Sequence, residues 1–151
     1  MPELPDVESY KKIAEKELLN KKIIKLTIHK CKVFKNSQTT FRKHLKNHKI
    51  KKIKRIGKNL FLQIDDGYWL VLHFGMTGCL KPFEYDSTEY SLLELYMKGS
   101  AISYTAKRKL GKIEITNDIT TYIEKNEIGT DFLDLRFSEF KEVLTKLNSK
   151  V

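Results

Sequence analysis

The chain has 151 residues, 40% hydrophobic and 32% charged, the make-up of one globular domain and not of a disordered tail. Its net charge of +10 hides an asymmetry: residues 1–60 hold 18 basic and 5 acidic groups, net +13, while residues 61–151 hold 11 and 14, net −3. Such a basic half predicts a polyanionic partner. No apolar run nears the ~20 residues of a membrane span. Lys11, Lys12, Glu15, Lys16 and Glu17 interrupt any secretory signal, so the expected address is cytoplasmic, beside the nucleoid in a prokaryote, with no membrane partner.

In chain order, the first predicted element is a helix carrying Val7, Tyr10, Ile13, Ala14 and Leu18 at three- and four-residue steps, with Pro5 near its start. Lys22 to Ile28 reads as a strand, and Thr39 to Asn47 as a short helix with Phe41 and Leu45 on one face. Ile50, Ile53 and Ile56 alternate with Lys49, Lys51, Lys52, Lys54 and Arg55, predicting a strand with one wet, basic face. Leu60 to Ile64 and Tyr68 to His73 flank Asp65-Asp66-Gly67, a hairpin signal. Leu92 to Met97 and Ala101 to Thr105 flank Lys98-Gly99-Ser100 in the same way, and Lys112 to Thr116 alternates again.

The tail from Ser138 to Leu147 predicts a helix with Ser138 as N-cap and Phe140, Val143, Leu144 and Leu147 on one face. About seven to eight short strands point to a mainly β (α+β) fold, an antiparallel β-sandwich with an N-terminal, a second short and a C-terminal helix. The expected domain limits are 1–136 for the sandwich and 137–151 for the C-terminal helix. Cys31 and Cys79 stand apart from any zinc-ligand set and are expected to be reduced.

Two positions invite chemistry. Removal of Met1 leaves Pro2 as a secondary amine with a pKa near ~8, able to attack an aldehyde-like carbon and form an iminium. Glu3 stands beside it as a proton donor or acceptor. If Met1 stays, the Pro2 nitrogen is an amide and only binding remains. Read singly, Glu3 and Lys58 are equally well solvated surface charges, and the basic stretch a merely soluble face.

Met1-Pro2-Glu3-Leu4-Pro5-Asp6-Val7-Glu8, Gly57-Lys58-Asn59-Leu60 and His73-Phe74-Gly75-Met76-Thr77-Gly78, in this order, resemble the formamidopyrimidine-DNA glycosylase and endonuclease VIII family. Arg108-Lys109-Leu110-Gly111 and Ile128-Gly129-Thr130-Asp131-Phe132-Leu133 are weaker matches. The resemblance implies a base-excision repair glycosylase with lyase activity on oxidised purines, acting on damaged double-stranded DNA. By it, Pro2 attacks C1′, Glu3 protonates the sugar ring oxygen and Lys58 holds a phosphate near the lesion. It also assigns His73, Met76, Arg108 and Leu110 to DNA contact, with Met76 filling the gap left by an extruded base, Arg108 facing the orphaned base and Leu110 acting as wedge.

There are departures from the pattern. Tyr104-Thr105-Ala106-Lys107 stands where the family has an Asp-Pro pair, and Lys109-Leu110 replaces Arg-Phe. The family's helix-two-turns-helix and zinc-finger parts have no counterpart in these 151 residues, so no cofactor is expected in this chain. The open readings are a stand-alone half, a fragment paired with a separate helical or zinc-finger half, and a degenerate, non-catalytic DNA-binding module.

Overall fold

The computed structural model describes residues 1–84, 89–131 and 133–148. Phe132, part of the last matching string, and residues 149–151 of the predicted tail lie outside them. Two four-stranded antiparallel sheets face each other. The first has the order β1(Lys25–Ile28), β6(Ser91–Met97), β7(Ser100–Ala106), β5(Gly78–Pro82). The second runs β2(Ile50–Ile56), β3(Asn59–Ile64), β4(Trp69–His73), β8(Lys112–Thr116). Alternation sets their inner faces: Leu60, Leu62, Ile64, Leu70, Leu72, Ile113 and Ile115 meet Leu26, Leu93, Leu95, Met97, Ile102 and Tyr104 in one core. The expected sandwich is therefore observed, including β5, which the sequence reading passed over.

Helix α1(Leu4–Leu18) packs against β2, β3, β5 and β7, so it closes the edge of the sandwich at which β2 and β5 would otherwise be bare. Its Val7, Ala14 and Leu18 enter the core, and the Asp6 carboxylate accepts from the Glu3 N–H at 2.7 Å, holding the first turn. Helix α2(Gln38–Leu45) is capped by Ser37, whose hydroxyl accepts from Thr40 N, and buries Phe41 and Leu45. Residues 33–36 seal the opposite edge: Ile113 N donates to Val33 O, Lys35 N to Ile113 O and Ile115 N to the Asn36 side chain. Cys31 and Cys79 are free thiols.

Four local expectations change. The strand expected from Lys22 starts at Lys25, because Lys22 makes only a bridge to Lys49. Ser138 lies inside α4(Phe137–Asn148) instead of capping it, and the helix start is held by Arg136 N donating to Glu139 Oε2 at 2.8 Å. None of α4's described residues is buried, so Phe140, Leu144 and Leu147 remain exposed.

The fourth is α3(Ile119–Lys125), which the sequence reading missed. Its β-branched Ile119, Thr120 and Thr121 are weak helix formers. Asp118 supplies the start, its side chain accepting from Thr120 N and Thr121 N. This helix explains why β3 and β4 read as nearly unbroken apolar runs. Phe61, Trp69 and Val71 point to the outer side of their sheet and are buried there with Tyr122, the Phe61 and Tyr122 rings meeting edge-on at 5.9 Å. Phe61→Ala is expected to destabilise the fold by about 3–5 kcal/mol, read as a lower urea midpoint at unchanged slope. A loss below about 1 kcal/mol would mean that this second core is not closed by α3.

Candidate active site

Strand direction brings distant motifs to one end of the sandwich. α1 starts there, β2 ends there at Ile56, β4 ends there at His73, and β7 ends there at Ala106. The turns that follow these strands carry Lys58, Met76 and Arg108. A cavity of about 250 Å³ opens between them, lined by Met1, Pro2, Val7, Lys58, His73, Phe74, Gly75 and Met76. Pro2 is buried in its wall, whereas Met1 is 72% exposed. Lys58 Nζ donates to Glu3 Oε1 at 2.9 Å, with both side chains about half exposed. An ion pair so exposed adds little stability, but it fixes an ammonium and a carboxylate beside the amino terminus.

His73 lies on the cavity wall with its ring partly enclosed. Gly75 N donates to His73 Nδ1 at 3.2 Å, so the neutral ring carries its proton on Nε2. Burial, then the charges of Lys112 and Lys58, hold the His73 ring below its ordinary value of 6.5. The unfolded chain therefore binds this proton at higher pH than the folded one. The stability His73 contributes is full above pH 6.5 and falls as pH drops through that value towards the lowered folded one. In urea melts from pH 8 to pH 5, His73→Asn is expected to flatten that decline relative to the unchanged chain. Identical slopes in the two proteins would rule out the neutral, buried imidazole.

Gly75 has φ +59°, and a Cβ there would come within 2.6 Å of the Leu110 carbonyl carbon, so only glycine lets the 74–77 turn lie against residues 108–111. Arg108 N donates to Thr77 Oγ1 at 3.0 Å and Arg108 Nη1 reaches Met76 Sδ at 3.4 Å. Met76 and Leu110 are both more than two-fifths exposed. The predicted Pro2, Lys58, His73 and Met76 thus line one cavity, Glu3 is held beside it by Lys58, and Arg108 and Leu110 form an exposed rim.

One expectation about charge is corrected. Arg55, read as part of a wet basic face, is buried, its guanidinium paired with Asp131 and with Glu8. A bulge between Ile50 and Lys52 breaks the simple alternation. Lysines of the basic half are spread along the sandwich. Lys22 bridges Lys49 where α1 ends and β2 begins, roughly 22 Å from the cavity at 1.5 Å per residue of α1. Lys54 sits on the outer sheet face, 5.9 Å from the Trp69 ring. Of the strand's cations only Lys58, in the turn beyond it, reaches the site.

Asp131 and Glu8 belong to strings that mark the resemblance, yet their pairing with Arg55 was not foreseen. Burial would raise the Asp131 carboxyl, but hydrogen bonds from Arg55, Leu133 and Gly57 outweigh it and hold the group below its ordinary value.

Among known proteins, the family model described as the formamidopyrimidine-DNA glycosylase N-terminal domain matches residues 1–113. The formamidopyrimidine-DNA glycosylase of Lactococcus lactis subsp. cremoris is 30% identical over 158 residues, which cover 100% of this chain and 58% of that protein. The Mycoplasma pneumoniae protein of the same name is 29% identical over 145 residues, covering 91% and 52%. A crystal structure of the Lactococcus lactis glycosylase non-covalently bound to DNA containing an abasic site matches with a TM-score of 0.84 at 25% identity. It covers 95% of this chain and 55% of that one. A complex of the same glycosylase with abasic-site DNA gives 0.78 at 27% identity, covering 85% and 49%. The chain spans about half the length of the curated relatives it matches.

Proposed function

The chain belongs to the formamidopyrimidine-DNA glycosylase family, and we propose from this that it is the catalytic half of a base-excision repair enzyme that removes oxidised purines and then opens the strand. The observation that supports this best is the single cavity shared by Pro2, Lys58, His73 and Met76, with Glu3 held to Lys58 at 2.9 Å. With Met1 removed, the Pro2 lone pair attacks C1′ of the damaged nucleotide as the bond to the base breaks. The Glu3 carboxylate takes the proton that the amine releases and passes it to the ring oxygen, the displaced base takes a proton from water, and the opened sugar is left as an iminium on Pro2.

The iminium withdraws electrons from the neighbouring C–H, so a proton is lost there and the 3′ phosphate leaves, followed by the 5′ phosphate in a second elimination. Lys58 places a positive charge where a phosphate oxygen comes to lie. His73 offers Nε2–H to the same backbone. Met76 and Leu110, exposed at the rim, fill the space of the extruded nucleotide, and Arg108 contacts the base left opposite. The proposed partner is damaged duplex DNA.

The competing reading is a DNA-binding module without turnover. Met1, standing in the cavity wall, favours it for as long as that residue stays attached. Borohydride trapping on abasic DNA, with the state of Met1 measured by mass, separates the two.

A further inference from the structure

The Arg55 guanidinium uses all three of its nitrogens on three separate chain segments. Nε donates to Glu8 Oε2 on α1 at 2.7 Å. Nη2 donates to Asp131 Oδ1 at 3.0 Å, and Nη1 donates to Asp131 Oδ2 as well as to Gly57 O at 2.9 Å. Asp131 Oδ2 also accepts from Gly57 N at 2.8 Å, and its Oδ1 from Leu133 N at 3.0 Å. Both Arg55 and Asp131 side chains are almost wholly buried, at 4% and 2% exposure.

The consequence falls on Gly57. Its N–H is held by Asp131 and its C=O by Arg55, and its φ of +57° is one that few other residues adopt. The next residue is Lys58, whose ammonium meets Glu3 at 2.9 Å. Glu3 in turn precedes the helix that carries Glu8. A buried ion pair is poor evidence for stability, since desolvation offsets its attraction, but a fully bonded one specifies geometry. This one specifies where the Lys58 turn stands relative to the helix that presents Pro2 and Glu3.

We propose that Asp131, acting through Arg55 and the clamped Gly57 peptide, is a positioning residue that sets Lys58 against Glu3 and the amino terminus. The segment after α3, 76 residues from Arg55 in sequence, is thereby part of the site without touching its cavity. The link to catalysis rests on the function proposed above; the placement of Lys58 does not.

Two readouts test it on the full chain, with circular dichroism to show that each variant is folded. The first is the rate at which the Lys58 amine is acetylated, followed by peptide mass and normalised to the exposed Lys52. Asp131→Asn is expected to raise Lys58 reactivity several-fold and Asp131→Glu to restore most of the protection. Should Asp131→Asn not fold, Arg55→Lys serves instead, since it keeps the buried charge and loses the fork. The second is borohydride trapping on abasic duplex, expected to fall by roughly 10²-fold, the scale for a misplacement of about 1 Å, at unchanged DNA affinity. Unchanged Lys58 reactivity in the folded variants overturns the positioning role whatever the activity. A wild-type chain that traps nothing, while Lys58 reactivity shifts as expected, sinks the enzymatic reading and leaves the positioning role standing.

Discussion

Borohydride is expected to capture the chain on abasic duplex DNA only when its amino terminus is Pro2, and protein that still carries Met1 is expected to give no more adduct than its surface lysines do. The reason lies in the nitrogen. Released, it is a secondary amine with a pKa near ~8, so an appreciable fraction is unprotonated at neutral pH. Bonded to Met1, it is an amide whose lone pair is delocalised into the carbonyl. The Met1 amine is no substitute, because it lies one residue further along, about 3.8 Å in Cα spacing, and its residue is 72% exposed where Pro2 is buried. Treatment with methionine aminopeptidase should therefore switch trapping on, and peptide mapping should place the sugar on Pro2. An adduct of equal yield before and after treatment, or one mapped to a lysine, would falsify the role of Pro2.

Glu3→Gln is expected to slow base removal by roughly 10²–10⁴-fold, the usual range for a lost general acid, while leaving trapping on a pre-formed abasic site within about tenfold. An abasic sugar already samples its open aldehyde, so capture there needs no proton on the ring oxygen. A damaged nucleotide has no such route. The amide cannot donate that proton, but it still offers the Lys58 ammonium an oxygen to bond to, and DNA affinity should change little. Single-turnover assays on duplexes bearing an oxidised guanine and an abasic site provide the comparison. Equal losses on both substrates would show that Glu3 serves in shaping the site and not in proton transfer.

Some of this architecture is legible without coordinates because it depends on neighbours in sequence. Asp65-Asp66-Gly67 and Lys98-Gly99-Ser100 announce hairpins through local turn preference, and the strands flanking them fall within one or two residues of expectation. β5 was harder: Gly78-Cys79-Leu80-Lys81-Pro82 is short, begins with glycine and ends with proline, and takes its strand form from pairing with β7. α3 was harder still, since seven residues rich in β-branched side chains are helical only because Phe61, Trp69 and Val71 need a cover.

The candidate site divides along the same line. The sequence alone singled out the residues proposed to carry chemistry, because an amino-terminal Pro-Glu pair, a Gly-Lys turn and a Met between glycines are read from adjacent letters. It also determined the sandwich, because period-two alternation forces one face of each strand inward. Only the tertiary structure decided what the charges do. Arg55 differs from Lys54 by one position, yet one is buried between Glu8 and Asp131 and the other stays exposed beside the Trp69 ring. The physical reason is range. Turn and strand preferences act over a few residues, whereas the worth of a charge depends on the dielectric and on partners that here come from 47 and 76 positions away.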